Sequence, residues 1–140
     1  MISPDNIVLE SETSSKRAAL NQLAERLTSL DPDQIMNLVM ARERLGSTGI
    51  GHGVALPHGR MPGLSEPIIA LLRHHQGVDF DAIDGQPVHI VILLLVPDDD
   101  DKGHLELLAQ LARRLQSDAL RQQVMDAADE EAISALFCRS

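Results

Sequence analysis

The chain has 140 residues, 44% of them hydrophobic and 24% charged, with a formal net charge of -9. That length suits one ordinary domain over 1–140 with a single core, and the composition excludes a disordered chain. The acidic balance repels a phosphate backbone, and two aromatic residues in all, Phe80 and Phe137, leave no stacking platforms, which argues against nucleic acid as a direct partner.

The N-terminal stretch MISPDNIVLESET has no basic region followed by an apolar one, so it does not read as a signal peptide. Residues 14–29 are predicted helical, with Leu20, Leu23, Ala24 and Leu27 on one face. A second helix begins at Asp31 as N-cap, with Pro32 in the first turn and Gln34 placed to close a capping box. Its apolar stripe runs through Ile35, Leu38 and Val39 toward Leu45, and position 42 on that stripe is Arg.

From Gly46 the helical period breaks into GSTGIGHGVALPHGR. Five glycines in that segment suggest a tightly bent backbone leading into a short strand at 54–56. Further strands are predicted at 68–73 and 88–96; the second is a near-continuous apolar run, as expected for a strand covered on both faces. The run 90–96 is far too short to span a bilayer. An acidic loop at 98–101 precedes a helix from about His104, with Leu105, Leu108, Ala109, Ala112 and Leu115 on its inner face. Helices at 117–127 and 129–137 complete the chain. The single Cys138 cannot form an internal disulfide, so a cytoplasmic, membrane-free protein is expected. Helices, then strands, then helices define an α/β fold: a mixed, partly antiparallel sheet flanked by helices on both faces.

Six histidines are candidates for chemistry. His74 and His75 are neighbours on a strand and face opposite ways, so they cannot chelate one metal together. His89, within the apolar strand, reads as a structural histidine, and His52, between two glycines, as a solvent-facing one. His58 differs, because Pro57 and Gly59 bend the chain around it beside a strand end, where ligands gather in open α/β sheets. A neutral imidazole attacks phosphorus when its other nitrogen is tied to an acceptor, and a backbone carbonyl is the natural one. Arg42, costly on an apolar face, is either paired structurally or placed to fork onto phosphoryl oxygens. His104, at a helix start, would remain neutral and could donate a hydrogen bond. Together His58, Arg42 and His104 supply a nucleophile, a charge clamp and a donor, which is most of what phosphoryl transfer needs. A metal-dependent hydrolase is the rival, but no helical His pair four residues apart occurs. A non-catalytic interaction module is the other.

The segment ARERLGSTGIGHGVALPHGR resembles the active-site signature of the enzyme IIA components of the bacterial phosphoenolpyruvate-dependent sugar phosphotransferase system, fructose and mannitol class, and above all their nitrogen-regulatory branch. The resemblance implies phosphorylation at His58, an active-site role for Arg42, and a second histidine at His104 within HLELLAQLARRL. It also implies a mixed five-stranded sheet, an HPr-like phosphohistidine carrier as donor, and transfer with no metal or nucleotide cofactor. Downstream it implies either regulated target proteins in nitrogen and potassium metabolism or, in sugar-transporting relatives, a separate IIB domain. No IIB or membrane IIC segment occurs in the sequence, which points to the regulatory branch. The signature residue expected between the two glycines is Asn, and this chain has His52.

Overall fold

The computed structural model describes residues 2–99 and 101–138, with the backbone alone at 101–104. A 3-10 turn at Pro4–Asn6 leads into β1 (Ile7–Val8), α1 (Lys16–Arg26) and α2 (Pro32–Leu45). The strands β2 (Gly49–Gly51), β3 (Val54–Ala55), β4 (His58–Met61), β5 (Ile68–Val78) and β6 (Val88–Pro97) follow. Helices α3 (Asp101–Arg114), α4 (Asp118–Asp126) and α5 (Glu130–Cys138) end the chain.

The long apolar strand β6 is the spine of the sheet. On one edge β5 pairs with it antiparallel, and β1 lies parallel beyond β5. On the other edge β3 and β4 both run parallel to β6, Val54 opposite Ile90 and His58 opposite Leu94. The offset is the same in both, so β3 and β4 are two pieces of one sheet position, and β2 closes the edge antiparallel to β3. Six strands thus fill five positions of a mixed sheet, as expected.

Alternation along β6 divides the core. Val91, Leu93 and Leu95 join the cluster built with Leu20, Leu23, Ile35 and Val39 of α1 and α2. Ile90, Ile92, Leu94 and Val96 join the other, with Leu111, Leu115, Val124, Ile133 and Phe137 of α3, α4 and α5. Both faces are covered, which is why the strand reads as a continuous apolar run rather than an alternating one.

The helix caps follow the sequence. Ser15 accepts from Ala18 N–H at 3.1 Å and Ser117 from Leu120 N–H at 3.1 Å. Asp31 accepts from Asp33 N–H at 3.0 Å, so the cap is made one residue earlier than a box through Gln34 would place it. One expectation for α2 is corrected: Leu45 is 85% exposed, and the buried positions are Ile35, Met36, Val39 and Glu43. The buried face therefore passes through Glu43, and Arg42 lies half-buried at its margin.

Candidate functional site

The break between β3 and β4 makes the site. Pro57 has no N–H to give to the ladder, so pairing stops there, although its carbonyl still accepts from Leu94 N–H at 2.9 Å. The chain resumes as β4 at His58, in unchanged register. The imidazole is half-buried, and Nδ1 lies 2.8 Å from Leu56 O. A carbonyl oxygen only accepts, so Nδ1 carries the proton and Nε2 holds the lone pair of the neutral ring. The expected backbone acceptor is thus Leu56 O.

His58 and Arg42 line one cavity of about 310 Å3, shared with Ser47, Thr48, Ile50 and Leu56, and closed by Leu108, Ala109 and Ala112 of α3. Arg42 reaches back over the end of α2 and donates from Nη1 to Gly46 O at 2.8 Å. The structure brings these two residues together. Position 104 is in the first turn of α3, one helical turn before Leu108, but the side chain of His104 lies outside the described residues.

Sequence reasoning missed the buried carboxylate beside Arg42. Glu43 is 7% exposed and accepts from Lys16 Nζ at 3.1 Å, from Thr48 N–H at 3.3 Å and from the Thr48 hydroxyl. Thr48 in turn accepts from Leu56 N–H at 3.0 Å through its carbonyl. Glu43 therefore fixes the loop that leads to the acceptor of the His58 proton. Its position four residues after buried Val39 was the available signal.

Burial of the ring is the largest influence on His58 and lowers its pKa from the ordinary 6.5; the Arg42 charge acts the same way, while the Leu56 hydrogen bond and Glu43 oppose them. The ring is thus held in its neutral, nucleophilic form at neutral pH. Between the folded and unfolded values the unfolded chain binds more protons, so stability rises with pH there. The His58 contribution is complete above about pH 6.5 and is lost as the pH falls through 6.5 toward the folded value. An NMR titration of the His58 ring should give a midpoint below 6.5 that moves up in Arg42→Gln. A midpoint at or above 6.5 in the unaltered chain contradicts this.

The remaining histidines sort as follows. His74 is 3% exposed, donates from Nε2 to Thr13 O at 2.6 Å and accepts from Gly77 N–H at 3.0 Å, whereas His75 is exposed. His89 donates from Nδ1 to His74 O at 2.9 Å. Among the described residues no group of three or more His, Cys, Asp or Glu could hold a metal ion, and no helix is long and apolar enough to cross a membrane.

An imidazole and a guanidinium thus share one cavity at a strand break, and known proteins bear on the class of protein that carries them. The chain belongs to the family described as phosphoenolpyruvate-dependent sugar phosphotransferase system, EIIA 2, whose model matches residues 1–139. This is a family of phosphotransfer components. The chain is 39% identical over 137 residues to the nitrogen regulatory protein of Pseudomonas aeruginosa, covering 95% of this chain and 89% of that one. It is 35% identical over 140 residues to the nitrogen regulatory protein of Bradyrhizobium diazoefficiens, covering 98% and 92%. The crystal structure of nitrogen regulatory protein IIA-Ntr from Neisseria meningitidis superimposes with a TM-score of 0.91 at 36% identity, covering 96% and 94%.

Proposed function

We propose that this chain is a cytoplasmic regulatory phosphocarrier that accepts a phosphoryl group on His58 from an HPr-like phosphohistidine carrier and signals by its phosphorylation state in nitrogen and potassium regulation. The observation that carries the reading is the Nδ1 to Leu56 O hydrogen bond in a cavity shared with Arg42. Nε2 of His58 attacks phosphorus, the P–N bond to the donor imidazole breaks, and the electron pair returns to the donor ring. No proton moves: Nδ1–H stays on Leu56 O and steadies the positive charge the His58 ring acquires. Arg42 forks onto the phosphoryl oxygens. His104 donates to the same group from the first turn of α3, a reading supported by the cavity-lining Leu108 one turn later. Incubation with the phosphorylated carrier should add one phosphoryl group, labile in acid and stable in base, and an unchanged mass would refute the proposal.

Arg42→Ala should slow uptake by about 100- to 1,000-fold, as for loss of a transition-state donor. Its fold should be nearly unaffected, since the guanidinium is at the edge of α2 with Gly46 O as a hydrogen-bond partner. Rapid quench kinetics and a thermal melt separate the two. Normal uptake with a lowered Tm would make Arg42 structural.

The sugar-system description of the family keeps a second reading in view, a IIA that passes phosphate to a separate IIB domain. The identity to nitrogen regulatory proteins favours the regulatory one. Rapid discharge of the phosphorylated chain by a fructose- or mannitol-class IIB would reverse that order, whereas state-dependent capture of a cytoplasmic target would support it.

A further inference from the structure

Arg42 and Glu43 are consecutive, and both hold the short loop between α2 and β2. Arg42 takes its near end, donating from Nη1 to Gly46 O at 2.8 Å. Glu43 takes its far end, where the two carboxylate oxygens accept from Thr48 N–H at 3.3 Å and 3.4 Å and from the Thr48 hydroxyl. Consecutive helical residues point about 100° apart, so one side chain faces the cavity and the other the interior. Arg42 lines the cavity, whereas the Glu43 side chain is 2% exposed.

The Glu43 carboxylate is enclosed by partners. Lys16 Nζ of α1 lies 3.1 Å from it, and the same ammonium is 3.4 Å from Asp81 and 5.7 Å from the centroid of the Phe80 ring. A charge so buried is costly to desolvate, and what it fixes is the Thr48 backbone. Thr48 O accepts from Leu56 N–H at 3.0 Å, and Leu56 O is the acceptor of His58 Nδ1–H. Two hydrogen bonds thus separate the residue that Glu43 holds from the His58 ring. Ser47 steadies the same loop, its hydroxyl donating to Phe80 O and accepting from Gly49 N–H at 3.0 Å.

The chemistry asks different things of the two anchors. A guanidinium that turns Nη1 onto phosphoryl oxygens loosens its hold on Gly46 O. The ring must meanwhile keep its proton on Nδ1, because a neutral ring protonated at Nε2 has no lone pair there to attack phosphorus. A carboxylate that stays on Thr48 keeps Leu56 O in place through that step.

We propose that Glu43 is a positioning residue for phosphoryl uptake. By holding Thr48, and through it the Leu56 peptide, it keeps the His58 proton on Nδ1 while Arg42 turns to the phosphoryl group. The proposal rests on the phosphorylation of His58 set out above, but its first test needs no phosphoryl donor. The ring nitrogen shifts of His58, read by NMR at neutral pH, should report a proton on Nδ1 in the unaltered chain. In Glu43→Gln one amide oxygen replaces two carboxylate oxygens as acceptor for Lys16 and Thr48, and Lys16 keeps Asp81. The shifts should move toward the tautomer protonated at Nε2, which an unconstrained imidazole side chain prefers. The maximal rate of uptake should fall by about tenfold or more, with the half-saturating concentration of phosphorylated carrier unchanged. Thr48→Val keeps the ion pair and removes only the hydroxyl; it should move both readouts the same way by less, and it carries the test if Glu43→Gln does not fold. Arg73→Lys, which loses stability at the junction of β5 and α4, should move neither. An unchanged tautomer in every variant that folds, or a proton on Nε2 in the unaltered chain, would overturn the proposal. So would slowed uptake with the tautomer unchanged, because the carboxylate would then act on the ring by its charge alone, which opposes the lowering of the His58 pKa. If the unaltered chain takes up no phosphoryl group, the functional reading fails, and the tautomer still decides what Glu43 holds.

Discussion

A His58→Gln chain incubated with the phosphorylated carrier should show no added phosphoryl group by intact mass, at any time at which the unaltered chain is fully charged. Glutamine is close in length, and its amide N–H can still reach Leu56 O, the acceptor that His58 Nδ1 uses at 2.8 Å. The local hydrogen bond and most of the buried area are therefore retained, and stability should change by no more than ~1 kcal/mol. What the amide lacks is a basic nitrogen lone pair, so no P–N bond can form. The control is His89→Gln. Among the described residues, His89 is the other histidine whose Nδ1 donates to a backbone carbonyl, His74 O at 2.9 Å, so both rings present the same tautomer. It lines a separate cavity, away from Arg42, and its loss should leave uptake intact. If His58→Gln still gained the group while His89→Gln did not, the tautomer would be the right signal read at the wrong ring.

The difference between those two histidines shows what was legible in the sequence. Pro57 and Gly59 announce a bend at His58, and the bend puts the ring beside a cavity. Nothing local to His89 announces the slot between two glycines that holds its ring, because Gly53 and Gly77 come from distant segments. The long elements were legible for a similar reason. The apolar run behind β6 and the capped periods behind α2 and α4 carry their signal within one window; the segment predicted at 117–127 is α4, Asp118–Asp126, between its caps. Strands β1, β2 and β4 have two to four residues each, too few to show a period, and β4 reads HGRM, which has no strand pattern at all. They are held by pairing with β5, β3 and β6, a tertiary effect. The predicted strand at 68–73 extends to Val78 through a register shift after Arg73, at whose far side Gly77 takes φ 91°. The choice between Arg42 and Glu43 as the inward residue turned on one position of helical phase. The sequence stripe pointed at Leu45, and the folded helix turned Glu43 inward to meet Lys16 and Thr48.

The largest expected loss of stability comes from Arg73→Met. Arg73 is 4% exposed on β5, and its guanidinium is bonded to backbone carbonyls. Nε donates to Leu9 O at 3.0 Å, and Nη1 to Val124 O at 3.0 Å and Ala127 O at 2.7 Å, with Met125 O at 3.3 Å. One cation thus joins the residue after β1, strand β5 and the C-terminal end of α4. The helix end favours a positive charge there, and its last carbonyls have no partner within the helix. Methionine fills most of the volume and removes a buried charge, which by itself can be neutral or stabilising. It cannot donate, however, and several carbonyls at this junction would be left to find water or remain unsatisfied, at ~1–3 kcal/mol each. The carbonyls outnumber the single desolvated charge, so the net should be a loss of roughly 3–5 kcal/mol. For a domain of this size that is a fall in Tm on the order of 10 °C or more, read by calorimetry. Arg73→Lys keeps the charge but not the planar fork, and should recover only part of the loss. A Tm for Arg73→Met within about 2 °C of the unaltered chain would mean that the helix end and the strand edge are satisfied without the guanidinium, and that Arg73 is a tolerated buried charge rather than the clasp between α4 and the sheet.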